Sequence, residues 1–368
     1  MTPTLSRSIP FFDYPRLFQD EEELLVSIVR DVGRRGAFIL QRDVEQLEQN
    51  LARYLGAAHT LGVGNATDGL IIALRAVGIS PGDEVIFSSH TMVATAAAIH
   101  FAGGVPIPVE CGADHLIDPW AVEAAITPRT RAILPTQLNG RTCDMASLLA
   151  IAKKHGLAVI EDAAQALGSK FRGQCAGTFG AASAISFFPA KVLGCLGDGG
   201  AVMTNDQTIH DRMLQLRDHG RRADGEVVSW GLNSRLDNLQ AAILDARLKK
   251  YEAVVERRRS ISRLYRARLS DLDELTLPPG PDNDPDHFDI YQNYEIEAIK
   301  RDRLSTHLKS SGIGTIVQWG GKAVHQWDKL AFTQKLPFTE KLFERLLLLP
   351  LNMSLSDDDV NEIGRAHV

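Results

Sequence analysis

Leu157-Ala158-Val159-Ile160-Glu161-Asp162-Ala163-Ala164-Gln165 is a short apolar run that ends on two acids. An unbroken apolar run of this length suits a strand buried on both faces, because a strand with one wet face would alternate. Comparable runs stand at Glu84-Val85-Ile86-Phe87, Val105-Pro106-Ile107-Pro108-Val109, Ala132-Ile133-Leu134-Pro135 and Ala184-Ile185-Ser186-Phe187. Helical stretches separate them, around residues 91–101, 119–125 and 145–155. Strands alternating with helices predict an α/β fold, a large domain with a mainly parallel central sheet flanked by helices.

Away from this core the rhythm changes. Upstream, Val44, Leu47, Leu51 and Leu55 recur at helical spacing and stop at Gly56, a natural terminator. Downstream, residues 241–268 read as one long charged helix with Arg257-Arg258-Arg259 on a solvated face. The Pro- and Asp-rich stretch 277–286 is expected to be loop. A strand over 291–298, a helix over 302–311 and a strand over 315–319 make a smaller C-terminal α+β domain. The division is drawn at 1–245, including the N-terminal segment, and 246–368.

The 368 residues carry a net charge of -6 at pH 7, which gives no electrostatic footprint for nucleic acid or an anionic membrane. The amino terminus lacks the basic start and long apolar stretch of a secretory leader. No segment reaches the ~18 uncharged apolar residues of a membrane span. Cys111, Cys143, Cys175 and Cys195 are scattered, without metal-ligand or disulfide spacing, so no metal is expected. These features describe a reduced, cytoplasmic protein.

In a doubly wound sheet, ligands bind beyond the carboxyl ends of the strands, so the chemistry should follow the apolar runs. Gly62-Val63-Gly64-Asn65-Ala66-Thr67-Asp68-Gly69-Leu70 leads into a helix. Small residues let amides approach an anion, and a helix amino terminus favours negative charge. The stretch is a phosphate cradle, or a tight turn in which Thr67 or Asp68 caps the helix. Glu161 and Asp162 are neighbours on a strand and point to opposite faces, so one should enter the crevice. There it could pair with a protonated ring nitrogen or a metal, or cap the next helix. Lys191 closes Ser186-Phe187-Phe188-Pro189-Ala190-Lys191, just before the glycine-rich stretch 194–200. A lysine here can be a solvated surface group, or it can be desolvated, which lowers its pKa and frees its amine for Schiff-base chemistry.

In this order the fragments resemble the DegT-type nucleotide-sugar aminotransferase family, which has the aspartate-aminotransferase fold (fold type I). Residues 64–70 are similar to the family's phosphate segment, and Pro81-Gly82-Asp83-Glu84-Val85-Ile86 to its PGDEVI. Residues 161–168 are similar to EDAAQAxG, 186–191 to SFxPxK, and 231–242 to GxNxRMxxLQAA. The resemblance spans nearly the whole chain. It implies pyridoxal 5'-phosphate as cofactor, with the aminated PMP form in the half-reaction. Lys191 would be the catalytic residue, holding the cofactor as an internal aldimine. Asp162 would meet the pyridine nitrogen and Gln165 would lie near the ring oxygen. The amides of Ala66 and Thr67, with the Ser186 hydroxyl, would hold the phosphate. Asn233 would reach it from the neighbouring subunit of a homodimer with shared active sites; on residues alone Asn233 is a turn residue.

The chain also departs from the family. Met92 stands where many members stack an aromatic ring on the cofactor, and His90 is a second candidate for that place. Asp198 replaces a usual Glu, and residues 317–325 replace VHYxxPLH. Trp319 and His325, with His90, are candidate substrate contacts. The resemblance implies amino transfer from an amino acid, expected to be L-glutamate, to the C3 or C4 keto group of a nucleoside-diphosphate-linked deoxysugar. That is a step of deoxyamino-sugar and surface-glycan biosynthesis. Two alternatives stand beside it. A related sugar dehydratase would carry a His in place of Lys191 or cluster-spaced cysteines. A non-catalytic regulatory member would have no need of Lys191, Asp162 and Gln165 together.

Overall fold

The computed structural model describes residues 8–366. The first seven residues, part of the segment read above for a leader, lie outside the described residues. In chain order the strands are β1 (His59–Val63), β2 (Glu84–Ser88), β3 (Val105–Val109), β4 (Thr130–Leu134), β5 (Ala158–Asp162), β6 (Lys170–Phe171), β7 (Gln174–Cys175), β8 (Ala182–Ser186), β9 (Gly200–Thr204), β10 (Leu275–Thr276), β11 (His287–Phe288), β12 (Tyr294–Ala298) and β13 (Leu346–Leu349). Seven of them form the central sheet in the order β1-β9-β8-β5-β4-β2-β3. β9 runs antiparallel to both of its neighbours, and the other pairs are parallel. All five apolar runs became central strands. β1 and β9, His-Thr-Leu-Gly-Val and Gly-Ala-Val-Met-Thr, had no comparable run to announce them.

The helices are α1 (Tyr14–Arg35), α2 (Arg42–Leu55), α3 (Ala66–Val77), α4 (Val93–Ala102), α5 (Pro119–Ala124), α6 (Met145–His155), α7 (Gln207–Arg217), α8 (Asn238–Leu248), α9 (Tyr251–Leu269), α10 (Arg301–Ser310), α11 (Pro337–Phe343) and α12 (Asp357–Arg365). The sheet is buried on both faces, as unbroken apolar strands require. On one face Val63, Val85, Phe87, Ile160 and Val202 pack with Leu70, Ile72 and Leu74 of α3 and with α4. On the other, Ile185, Ala201 and Met203 meet Leu47, Leu51 and Leu244 of α2 and α8, while Ile86, Ile133 and Val159 meet α5 and α6. A second antiparallel sheet, β10-β12-β13, packs Tyr294, Ile296, Leu347 and Leu349 against Ile261, Tyr265 and Leu269 of α9 and Val360 and Ile363 of α12.

Three expectations change. The long helix is two, α8 and α9, broken at Lys249-Lys250; Tyr251 turns inward there and its hydroxyl donates to the Leu167 carbonyl at 2.7 Å. Arg258 and Arg259 are not solvated. Both are buried, and their guanidiniums donate to main-chain carbonyls of Tyr291, Gln292, Asp289 and Pro281. A guanidinium has five donors, so it can stay charged inside if carbonyls surround it. Residues 315–319 form no strand: a single bridge pairs Ile316 with Leu348 before a 3-10 turn over Gln318–Gly321.

Candidate active site

The carboxyl ends of β1 and β8 meet the start of β9 at one edge, where Gly200 pairs with Val63 on one side and Ser186 on the other. α3 begins directly above this point. A Cβ on Gly200 would stand 2.8 Å from the Ala66 nitrogen, so only glycine lets the helix start come this close to the sheet. The helix cap is Asn65, not Thr67 or Asp68: the Asn65 side chain accepts from the Asp68 amide at 2.9 Å. That leaves the Ala66 and Thr67 amides without an acceptor among the described residues, as the first turn of a helix must. The Ser186 hydroxyl, on the adjoining strand end, accepts from the Phe188 amide at 3.3 Å. Two free amides, a helix dipole and a hydroxyl one strand away form an anion cradle.

The two acids at the end of β5 separate as strand geometry demands. Glu161 is fully buried and takes four donors, Gln137 Nε2 and the amides of Gly177, Phe179 and Gly180, at 2.7–2.9 Å. It shapes the loop before β8. Asp162 lies on the opposite face, where Thr95 Oγ1 donates to its Oδ2 at 2.7 Å and the Ala164 amide to its Oδ1 at 3.1 Å. Thr95 is joined to Thr91 at 2.8 Å, and Thr91 to Thr136 at 2.9 Å. Burial raises the Asp162 carboxyl, while Thr95, Ala164 and the charge of Lys191 pull it back.

Lys191 follows β8 on a tight turn in which its amide donates to the Phe188 carbonyl at 2.8 Å. Its amine makes no hydrogen bond or ion pair with the described residues. Burial lowers its pKa from 10.5 to about 8, against the attraction of Asp162. An amine so placed is a nucleophile near neutral pH. Gln165 stands three residues past Asp162; its Oε1 accepts from the Asn139 amide at 2.8 Å, and its NH2 is uncommitted among the described residues. Asn139 also lines a cavity of about 440 Å³ that includes Arg141, Arg266 and Tyr291 but none of Lys191, Asp162 or Ser186.

The other sequence candidates are placed differently. Met92 is 48% exposed at the start of α4, three residues before Thr95. His90 is buried, its Nδ1 2.9 Å from the His115 carbonyl and its Nε2 3.5 Å from Glu295, with Trp319 and Phe343 edge-on to its ring. His325 is a buried strut between Ser89 Oγ at 2.7 Å and Glu340 at 3.2 Å. Asn233 is exposed, whereas its neighbour Ser234 accepts from the Gly64 amide at 3.1 Å and so braces the cradle. Thr95, Asn139 and Ser234 escaped the sequence reading, because a threonine or asparagine far along the chain gives no sign of the side chain it will meet.

An amine that condenses with an aldehyde, a carboxylate suited to a ring nitrogen and a cradle for a phosphate are all required by one cofactor, and the three sit at one sheet edge. The protein is a pyridoxal-phosphate enzyme. Comparison with known proteins makes this more specific. Residues 19–367 match the model of the DegT/DnrJ/EryC1/StrS aminotransferase family. The chain is 40% identical over 356 residues to a dTDP-3-amino-3,4,6-trideoxy-alpha-D-glucose transaminase of Streptomyces venezuelae, covering 94% of this chain and 92% of that one. It is 38% identical over 357 residues to a pleiotropic regulatory protein of Geobacillus stearothermophilus, covering 95% of each. The crystal structure of S. venezuelae DesV in complex with a ketimine intermediate superposes with a TM-score of 0.93 at 36% identity, over 98% of this chain and 97% of that one. The chain belongs to the DegT/DnrJ/EryC1/StrS aminotransferase family, and it is a pyridoxal-phosphate-dependent sugar aminotransferase. Among the described residues no helix is long and apolar enough to cross a membrane.

Proposed function

We propose that this enzyme moves an amino group from L-glutamate to the C3 or C4 keto group of a deoxysugar carried on a nucleoside diphosphate. The observation that carries the reading is the Lys191 amine, uncommitted and lowered to about 8, beside a buried Asp162. Relatives named for dTDP- and UDP-linked amino sugars support the acceptor class. When bound, the cofactor supplies an electron sink for the carbon that gains or loses its amine. Lys191 would hold the cofactor by its aldehyde, and its amine is placed to move a proton at the reacting carbon. Asp162, held by Thr95, would hold the proton on the ring nitrogen. Ala66, Thr67 and Ser186 would hold the phosphate, and the NH2 of Gln165, uncommitted among the described residues, would be available to the ring oxygen. Met92, exposed three residues before Thr95, would be the side chain available to pack on the ring. His90 and His325 are buried and would bear on a bound sugar only through the segments they pin, whereas Trp319 is partly exposed.

The working unit in this reading is a homodimer in which Asn233 completes the partner's phosphate site. Exposed apolar side chains in the segment just before it, Val227 at 63% and Trp230 at 91%, support a second copy docking there. The small domain begins at the α8–α9 break, close to residue 246. Absorbance spectra with L-glutamate test the reaction. The visible band of the lysine-linked cofactor should fade as the band of its aminated form rises, and a nucleotide keto-sugar should reverse the change. A band indifferent to every amino donor would defeat this reading. Mixing inactive Lys191→Ala and Asn233→Ala chains should restore partial activity if sites are shared, and none if they are not.

A further inference from the structure

The backbone at Lys191 is held from outside the large sheet. The side-chain amide of Gln292 brackets it: Nε2 donates to the Ala190 carbonyl at 2.8 Å, and Oε1 accepts from the Val192 amide at 2.9 Å. These are the two peptide groups on either side of the Lys191 Cα. A single planar amide therefore fixes both, as a neighbouring strand would, on a loop that has no strand beside it. Gln292 is 6% exposed, so water does not compete for these bonds.

The clamp is itself mounted rigidly. Arg258, on α9, donates from Nε to the Tyr291 carbonyl at 2.8 Å and from Nη2 to the Gln292 carbonyl at 2.7 Å. Tyr291 has a left-handed backbone, φ 52°, which turns the chain so that Gln292 points back toward the lysine loop. The segment also reaches Gln165, through Asn139. Ile290 donates to the Gly140 carbonyl at 2.9 Å, and Asn293 Nδ2 to Asn139 Oδ1 at 2.8 Å. Asn139 in turn holds Gln165. The contact is close enough that a Cβ on Gly140 would lie 2.6 Å from the nitrogens of Tyr291 and Gln292.

We infer that Gln292 is a positioning residue for Lys191: it sets the direction from which the amine meets the cofactor, and transmits the seating of α9 to the reacting lysine. The inference rests on the assignment of Lys191 as the cofactor-binding lysine. A displacement of the reacting amine by about 1 Å can cost about 100-fold in rate, so a clamp of this kind matters even though it touches no substrate.

The test uses three chains, each purified with pyridoxal phosphate: wild type, Gln292→Leu and Gln292→Glu. Leu fills the same space and makes neither bond, while Glu keeps the acceptor for Val192 and loses the donor to Ala190. Melting curves and circular dichroism establish that each is folded; if Gln292→Leu does not fold, Gln292→Glu carries the test. Four quantities are read: kcat and KM for the amino donor, the pH at which the visible band of the lysine-linked cofactor titrates, and the rate at which cofactor-free protein captures pyridoxal phosphate. Gln292→Leu should lower kcat and the capture rate by about 10- to 100-fold, with KM changed less than about threefold. Its spectral titration should move. Gln292→Glu, which sets a carboxylate oxygen against the Ala190 carbonyl, should also lower kcat and the capture rate. Folded Gln292 variants with wild-type capture rate, kcat and spectral titration would overturn the inference. Lys191→Ala is the separate control: if it still acquires the visible band, the lysine assignment fails, and the Gln292 result is then read against another amine and the inference falls with it.

Discussion

Replacing Lys191 with Met removes the amine to which we assign the cofactor and, by the same physics, should stabilise the cofactor-free protein. Burial lowers Lys191 from 10.5 to about 8, so the folded state disfavours the ammonium by about 3 kcal/mol at 1.36 kcal/mol per pH unit. A lysine lowered on folding is protonated in the unfolded chain and not in the native one between pH 8 and 10.5. Stability therefore rises with pH across that window, and below it the full cost is felt. Methionine, of similar length and uncharged, carries no such cost. A chain of 368 residues unfolds with an entropy of about 0.8 kcal/mol per K. The variant should accordingly melt about 4 °C higher than wild type near pH 7, with the gap closing above about pH 10.5. Calorimetry of both proteins, stripped of cofactor, at the two pH values checks this. A variant no more stable at pH 7, or a gap equal at both pH values, would refute the idea that Lys191 is held desolvated. The same depression bears on wild-type kinetics. At pH 7 an amine at about 8 is neutral in about a tenth of molecules, some 300-fold more often than at 10.5. Cofactor capture should thus accelerate about tenfold from pH 7 and level off just above 8.

Thr95→Val removes the donor at 2.7 Å from Asp162 Oδ2 while keeping the shape. Loss of a hydrogen bond to a buried carboxylate should destabilise the protein by about 1.5–3 kcal/mol in urea titrations at pH 7. Because that bond favours the ionised form, its loss raises the Asp162 pKa, and the acid limb of the kcat profile should move to higher pH. Glu295→Gln removes the carboxylate shared by His90 and His115. Burial disfavours charge on all three groups, yet the two rings hold Glu295 well below the usual range, and Glu295 holds both rings above theirs. Histidines raised on folding contribute stability below their unfolded pKa and lose it as pH rises through the raised values. The variant should therefore be less stable by about 3 kcal/mol near neutral pH, with a smaller deficit in alkali where the rings are neutral in both proteins. An undiminished deficit in alkali would show that the cluster is held by shape, not charge.

Local chemistry alone was enough for most of the large domain. Four- and five-residue apolar runs can be buried only as strands covered on both faces, so β2, β3, β4, β5 and β8 and the edge that carries the site were readable from the chain. Strand alternation also dictated that Glu161 and Asp162 would part, although it could not say which would enter the crevice. The family resemblance carried by the motifs around Ala66-Thr67, Asp162-Gln165 and Lys191, in that order, suggested the cofactor. What the chain did not disclose depends on contacts between distant residues. β9 lacks a long apolar run because its glycine start must admit α3. Arg258 and Arg259 look solvated until the carbonyls of residues 281–292 are folded around them. Thr95 reaches Asp162 across 67 positions, and Gln292 reaches the Lys191 loop across about 100. A hydrogen bond between side chains that far apart has no local propensity to betray it. The sequence by itself determined where the candidate groups stand, each following a strand or opening a helix; only the tertiary structure decided what surrounds and holds them.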